Sequence, residues 1–281
     1  MNFEDHFRAM GTDVDVVVAG DAPPLAAFIS LHLLFEREEQ RFSRFRPDSL
    51  LSRLNAGDAV DDETFASVCR LSLEAFEATG GLFNPMILPS LTSAGYDRTF
   101  DRVGGGRLRP EPAPALPEAL QIRGDTVQLA QGALDLGGIV KGWTVDRAVE
   151  TFRDECPDLL VNAGGDLRAE GSEDGTGEGG WELSIADHRT AGAEAWAGRW
   201  TGALATSTTL KRRWRLDDGA PAHHLIDPRT GLPAGSSLVQ VSVWAEQAWW
   251  AEIWAKAVLI GGLKTVAGAE RAGCRVLPLE G

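Results

Sequence analysis

Residues 134–146 read LDLGGIVKGWTVD and place two adjacent glycines, Gly137 and Gly138, shortly before Lys141. The apolar spacing predicts a strand before the glycines and a helix after them. Because glycine has no Cβ, the turn between them would let a ligand approach the backbone closely. The free N–H groups and partial positive charge at a helix start favour phosphate, and Lys141 adds a full charge. The segment is a candidate phosphate site, and the alternative is a plain tight turn.

Residues 205–215, ATSTTLKRRWR, place four hydroxyl side chains ahead of four cations. Hydroxyl and guanidinium groups suit phosphate oxygens, and arginine can bind them through two parallel hydrogen bonds. Thr206 and Ser207 are the first two hydroxyls of this segment. The segment is a second candidate phosphate site, and the alternative is a surface strand with alternating charge.

Residues 223–231, HHLIDPRTG, contain two histidines followed by a predicted turn. Asp227 is held extended because it precedes a proline, and Thr-Gly closes the turn. A histidine at such a position can act as a general base near neutral pH, oriented by Asp227 or by a backbone group. The alternative is a capped turn whose histidine is only hydrogen-bonded.

A second glycine pair, Gly164-Gly165, follows an apolar segment from Leu159 that predicts a strand. Asn162 and Asp166 flank this pair. Beyond it, residues 171–180 are predicted to form an acidic, glycine-rich mobile loop. Residues 181–186 and 204–206 are predicted to form strands.

The elements before residue 134 must position these groups, and their apolar periodicity predicts two strands and two helices. Strands are predicted at 7–19 and 121–130, helices at 24–41 and 62–79, and an irregular Gly- and Pro-rich connector at 103–118. Three arginines, Arg44, Arg46 and Arg53, fall between the two helices. They are either solvated surface or part of an anion site.

The chain has 281 residues, a formal net charge of −14 and a pI of about 4.8. This acidity argues against nucleic acid or an anionic membrane as a partner, so a phosphate-bearing ligand needs a local basic cluster or a metal. The three cysteines lack metal-ligand spacing and suggest a reducing compartment. We see no secretory signal and no apolar segment of about 18 residues, and therefore expect a cytoplasmic protein without membrane insertion.

Seven motifs together resemble the FAD:protein FMN transferases, the ApbE-like family, over roughly residues 10–262. They occur in the family's order: Met10-Gly-Thr, Phe42-Ser-Arg-Phe, Gly81-Leu-Phe-Asn-Pro, Asp135-Leu-Gly-Gly-Ile-Val-Lys-Gly, Val161-Asn-Ala-Gly-Gly-Asp, Ala205-Thr-Ser and His224-Leu-Ile-Asp-Pro-Arg-Thr-Gly. The resemblance implies one mixed α/β (α+β) domain over residues 1–281, with two packed subdomains and a flavin-nucleotide cleft between them.

The resemblance also implies an activity. Family members cleave FAD, release AMP and esterify FMN to a threonine hydroxyl of a target flavoprotein, using magnesium. The acceptor here would be another, unidentified flavoprotein, because the family's acceptor motif is absent from this chain. The alternatives are a FAD pyrophosphatase that yields free FMN and AMP, and a catalytically weak FAD-binding protein.

Site residues follow from the same resemblance. His224 takes the position of the family's base, with Asp227 beside it, and Asp146 is expected to hydrogen-bond flavin or ribityl groups. The remaining cofactor-binding candidates are Met10, Gly137, Gly138, Lys141, Asn162, Gly164, Gly165, Asp166, Thr206 and Ser207.

One motif departs from the family more strongly than the others. The family's magnesium ligands are a backbone carbonyl, at Val140 here, and the side chains of an Ala-Asp-x-x-x-Thr helix. This chain reads Ala251-Glu-Ile-Trp-Ala-Lys256, with Glu252 in place of the aspartate and Lys256 in place of the threonine. Either Lys256 supplies charge that magnesium otherwise supplies, or Glu252 and Lys256 form a surface pair one helical turn apart.

Overall fold

The computed structural model describes residues 1–281, which form sixteen strands and eight α-helices. The strands are β1 (Asn2–Ala9), β2 (Thr12–Ala19), β3 (Val60–Asp61), β4 (Leu120–Arg123), β5 (Thr126–Leu129), β6 (Leu159–Ala163), β7 (Asp166–Glu170), β8 (Trp181–Ala186), β9 (Glu194–Trp200), β10 (Gly202–Thr208), β11 (Arg213–Arg215), β12 (Pro221–His223), β13 (Ile226–Asp227), β14 (Leu232–Pro233), β15 (Leu238–Ala245) and β16 (Arg275–Glu280). The α-helices are α1 (Leu25–Phe42), α2 (Leu50–Asn55), α3 (Glu63–Ala78), α4 (Leu88–Ser93), α5 (Leu116–Ala119), α6 (Val140–Phe152), α7 (Ala248–Gly261) and α8 (Val266–Arg271).

Seven strands form one antiparallel sheet in the order β1-β2-β6-β7-β10-β15-β16. Two of its hairpins have two-residue turns, Met10-Gly11 and Gly164-Gly165. All four turn residues have positive φ angles, which suit the twist of a tight hairpin. Glycine adopts this conformation at little cost, whereas Met10, at φ 52°, is an exception.

Helices α1, α6 and α7 pack on one face of this sheet. The apolar side chains of β2, such as Val14 and Val16, meet Leu31 and Phe35 of α1 and Val149 of α6 in one buried cluster. The hairpin β8–β9 covers part of the opposite face, where the Trp196 ring lies 5.2 Å from the Trp244 ring of β15. The central sheet is therefore covered on both faces.

A smaller layer, the three-stranded sheet β3-β5-β4 with α2, α3 and α5, packs beside the large one. Helix α3 begins where the sequence predicted, because the Asp62 side chain accepts the Phe65 N–H at 2.7 Å and caps it. The apolar residues of this layer join those around α7 in a single cluster of 38 buried residues. The mixed α/β prediction is confirmed.

Three predicted strands differ from those observed. Residues 7–19 contain parts of β1 and β2, and 121–130 contain a hairpin that turns at Gly124, whose φ is 58°. Residues 133–136, which precede the first glycine pair, form no strand. The backbone N–H and C=O of Leu134 bond instead to the Asn55 side chain, at 2.8 and 2.9 Å. Because these polar groups are satisfied there, this residue needs no strand partner.

None of the helices is both long and apolar enough to span a membrane.

Candidate active site

A cavity of about 370 Å³ lies where the glycine turn before α6, helix α7 and the segment after α1 meet. Five cationic residues line it: Arg44, Arg46, Lys141, Arg212 and Lys256. The acidic residues in the lining are Glu39 and Asp135. In a protein of net charge −14 this is a local excess of positive charge, which favours an anionic ligand.

Aromatic rings surround one of these cations. The Arg44 guanidinium lies 4.2 Å from the Phe45 ring centre and 4.6 Å from that of Tyr96. Its Nε is 2.7 Å from Asp135 Oδ2, while its buried Nη2 has no hydrogen-bond partner. A ligand that enters the cavity could accept this free N–H and stack on the rings. The sequence did not single out Tyr96, because 52 positions separate it from Arg44 and no local pattern connects them.

The glycine turn and Lys141 lie as the sequence predicted relative to the helix, since α6 begins at Val140. Gly137, Gly138 and Val140 line the cavity. Lys141 Nζ donates to Asp166 and, at 2.9 Å, to Glu252 Oε1. Burial lowers the pKa of Lys141, but the two carboxylates outweigh burial and raise it overall. Lys141 is therefore a permanent cation at the cavity wall.

Glu252 and Lys256 are not on the surface. The Glu252 side chain is fully buried, and its Oε1 accepts Lys256 Nζ at 2.9 Å. Its Oε2 accepts the Gly142 N–H, also at 2.9 Å. Although burial favours the neutral acid, Lys141 and Lys256 lower the pKa of Glu252 to about 2. The surface-pair interpretation is wrong, because both cations and α6 enclose this carboxylate.

His224 lines the cavity and is half-buried, and its buried Nδ1 atom has no hydrogen-bond partner. Burial lowers the pKa of His224 well below 6.5, and the positive charges of Arg212 and Lys256 lower it further. The ring is therefore neutral at neutral pH, as a general base must be before it accepts a proton.

Asp227 does not orient His224, so the first of the two predicted arrangements, Asp227 or a backbone group, is wrong. Its two carboxylate oxygens accept Arg229 Nε at 2.8 Å and Arg229 Nη2 at 2.6 Å. The Arg229 backbone N–H also donates to Asp227, at 3.0 Å, which stabilises the turn. An arginine two residues away competes successfully for this carboxylate because it can bind both oxygens.

Asp146, predicted to hydrogen-bond the ligand, lies outside the cavity lining. Its carboxylate accepts the N–H groups of Ala248 at 2.8 Å and Trp249 at 2.9 Å, the first two residues of α7. Arg168 Nη1 donates to the same carboxylate at 3.1 Å. Asp146 therefore caps α7 at its N-terminus, where its negative charge interacts favourably with the positive end of the helix dipole.

We expect Asp146→Ala to lower the free energy of unfolding by about 2–4 kcal/mol, because it leaves two buried N–H groups without an acceptor and removes one of the carboxylate partners of Arg168. Asp146→Asn is the matched control and should cost less, since the amide keeps one acceptor oxygen. Urea unfolding measures both. Weaker ligand binding by Asp146→Ala with unchanged stability would contradict the capping role.

Several other predicted ligand-binding residues lie outside the cavity lining. Asn162 Oδ1 accepts the Gly165 N–H at 2.9 Å and holds the Gly164-Gly165 hairpin turn. Thr206 Oγ1 lies 2.8 Å from Ser242 Oγ on the neighbouring strand, and Ser207 is buried. These residues shape the sheet beneath the site. Asp166 reaches the site only through its contact with Lys141.

Met10 and Arg212 share an unusual conformation. They are the two non-glycine residues with positive φ, at 52° and 46°, and both line the cavity. The Met10 N–H donates to Glu39 Oε2 at 2.8 Å, which helps hold its turn. Strained backbone of this kind concentrates at functional sites, which supports the cavity as the site.

Together these features define an α+β protein with a cation- and aromatic-lined ligand cavity beside its central sheet. The family model of the ApbE family matches residues 10–276, and the chain belongs to that family.

Curated relatives agree with this membership, and solved structures agree with the fold. The FAD:protein FMN transferase of Treponema pallidum is 31% identical over 268 residues, covering 84% of this chain and 72% of the relative. That of Vibrio cholerae is 27% identical over 234 residues, covering 75% and 66%. The ApbE protein of Thermotoga maritima matches in structure with a TM-score of 0.88 at 24% identity, covering 100% of this chain and 94% of that one. The flavin transferase ApbE of Vibrio cholerae has a TM-score of 0.79 at 22% identity, with the same coverage.

Proposed function

We propose that this chain is a FAD:protein FMN transferase: it binds FAD and transfers FMN to a threonine hydroxyl of an acceptor flavoprotein, releasing AMP. The observation that carries the proposal is the grouping of five cations, several aromatic rings and the neutral His224 in one cavity. Cations suit a pyrophosphate and rings suit the flavin and adenine. The names of the curated relatives support the same reaction.

The chemistry requires one proton transfer and one phosphoryl transfer. The threonine oxygen forms a bond to the phosphorus of the FMN half, while the bond from that phosphorus to the bridging oxygen breaks. AMP leaves with the bridging oxygen, and His224 accepts the hydroxyl proton. Lys141 and Lys256, which line the cavity, would offset the negative charge that develops on the phosphate oxygens.

The test is incubation of the protein with FAD, with and without a flavoprotein fragment that carries a threonine acceptor motif. AMP is measured by chromatography, and protein-bound flavin by fluorescence in a denaturing gel. AMP with covalent flavin supports the transferase. AMP with free FMN, whether or not the fragment is present, would instead indicate a pyrophosphatase. FAD binding without AMP would indicate a flavin-binding protein.

The low pKa of His224 predicts an unusual pH profile. Because the pKa lies well below 6.5, the ring stays neutral as the pH falls through 6.5, and AMP release should remain constant over that range. Activity should decrease only at lower pH, where the ring binds a proton. A plot of kcat/KM against pH measures where this decrease occurs. A decrease centred at or above pH 6.5 would contradict the proposed electrostatics of the base.

That the acceptor is another flavoprotein and that the location is cytoplasmic are predictions from the sequence.

A further inference from the structure

We infer that the Lys256 ammonium takes the place of a metal ion in this chain, so that FAD is bound and cleaved without magnesium. The inference rests on the proposed function, because it concerns how the pyrophosphate is held. It departs from the magnesium requirement that the resemblance implies for the family.

The donor groups at this position do not fit magnesium. Glu252 Oε1 accepts both Lys141 and Lys256, each at 2.9 Å, and Oε2 accepts the Gly142 N–H at 2.9 Å. The Val140 carbonyl, the expected backbone ligand, accepts the Thr144 hydroxyl at 2.7 Å. No group of three or more His, Cys, Asp or Glu side chains could hold a metal ion. Magnesium needs about six oxygen ligands in near-octahedral geometry, and an ammonium offers none.

Lys141, Lys256 and their two carboxylate partners are arranged with the ammonium groups toward the cavity. The side chains of Lys141 and Lys256 are 14% and 15% exposed, and both residues line the cavity. Their carboxylate partners, Asp166 and Glu252, are 5% and 0% exposed and lie outside the lining. The carboxylates therefore hold the ammonium groups from behind, and the surface offered to a ligand is positive.

Lys256 also lies against the glycine turn. A Cβ added to Gly138 would be 3.3 Å from Lys256 Cε, so the lysine stem passes directly over this residue. The ammonium thus lies near the start of α6, where the helix dipole adds partial positive charge. Two fixed ammonium groups and a helix start together supply the positive charge that a pyrophosphate needs.

The first experiment measures FAD affinity by flavin fluorescence, before turnover, in EDTA and in magnesium. Wild-type affinity should be the same in both. Lys256→Met, which keeps the apolar stem, should weaken FAD binding in EDTA by about 10–100-fold, as expected for loss of a charge-assisted hydrogen bond. Riboflavin, which has no phosphate, should bind both proteins equally. Lys264→Met, at an exposed lysine outside the cavity, is the matched control and should bind FAD like wild type.

The outcomes separate this inference from the proposed function. FAD binding by wild type that requires magnesium, or unchanged FAD affinity in Lys256→Met, would overturn the inference and leave the transferase proposal intact. Absence of FAD binding both in EDTA and in magnesium would overturn the transferase proposal and the inference with it.

A second experiment does not depend on activity. Electron paramagnetic resonance with Mn²⁺ as the probe should detect no ion at this position in wild type. The double variant Glu252→Asp with Lys256→Thr should bind the ion and acquire magnesium-dependent FAD binding. Mn²⁺ bound equally by wild type and the double variant, or a double variant that gains no metal dependence, would show that Lys256 does not occupy a metal position.

Discussion

Replacement of His224 by alanine is expected to lower the rate of AMP release by about 10²–10⁴-fold, the usual contribution of a general base. FAD affinity should change little, because the cations and aromatic rings that line the cavity remain. The separation of rate from affinity follows from the chemistry, since a neutral imidazole adds little to phosphate binding but is needed to accept the threonine proton.

The measurement is single-turnover AMP release beside a FAD titration, at a temperature where circular dichroism shows both proteins folded. His223→Ala is the matched control, because His223 is the adjacent histidine and lies outside the cavity lining. Its Nε2 lies 3.2 Å from the Ala234 carbonyl oxygen, so its loss should affect stability more than rate. Parallel losses of rate and FAD affinity in His224→Ala would make His224 a ligand contact and refute its role as base.

Glu252→Ala is expected to have the largest effect on stability, lowering the free energy of unfolding by about 3–5 kcal/mol. The change leaves Lys141 with Asp166 alone, removes the only salt-bridge partner of Lys256, and leaves the buried Gly142 N–H without an acceptor. An unpaired charge in a buried site costs far more than the loss of an exposed pair.

Glu36→Ala is the matched control for this prediction. Glu36 also pairs with a cation, Arg46, at 2.6 Å, but its side chain is 60% exposed. Removal of an exposed pair should cost at most about 1 kcal/mol. Urea unfolding compares the two variants, and similar losses would show that the Glu252 cluster does not behave as a buried one.

The stability difference between wild type and Glu252→Ala should also depend on pH. The pKa of Glu252 is lowered from 4.5 to about 2 in the folded protein, so its stabilising contribution is fully present above pH 4.5. That contribution is lost as the pH falls toward 2. The stability difference between wild type and Glu252→Ala should therefore shrink below pH 4.5, and a constant difference would contradict the ion-pair explanation.

Features determined by neighbouring residues were predictable from the sequence. Helices α1 and α3 follow from apolar spacing and from the Asp62 cap, and α6 follows the Gly137-Gly138 turn as expected. The ordered motifs also identified the family, because they preserve residue types along one chain direction. The predictions failed where one predicted strand is in fact a hairpin of two strands. Met10 and Gly124 adopt the positive φ angles of these turns, which the alternation of apolar residues does not reveal.

The roles of individual side chains at the site were decided by the tertiary structure. Asp146 caps a helix that begins 102 residues later, and Asp227 binds Arg229 and not His224. Arg44 meets Tyr96 only because the fold brings their segments to one cavity.

The sequence by itself determined the family, the positions of the main helices and the unusual presence of Glu252 and Lys256 in the metal motif. Whether these two residues form a surface pair or part of a buried ion-pair cluster was decided by the packing of α6 against α7. The physical reason is that the energy of a charge depends on its burial and on partners distant in the sequence, such as Lys141, which local patterns do not specify.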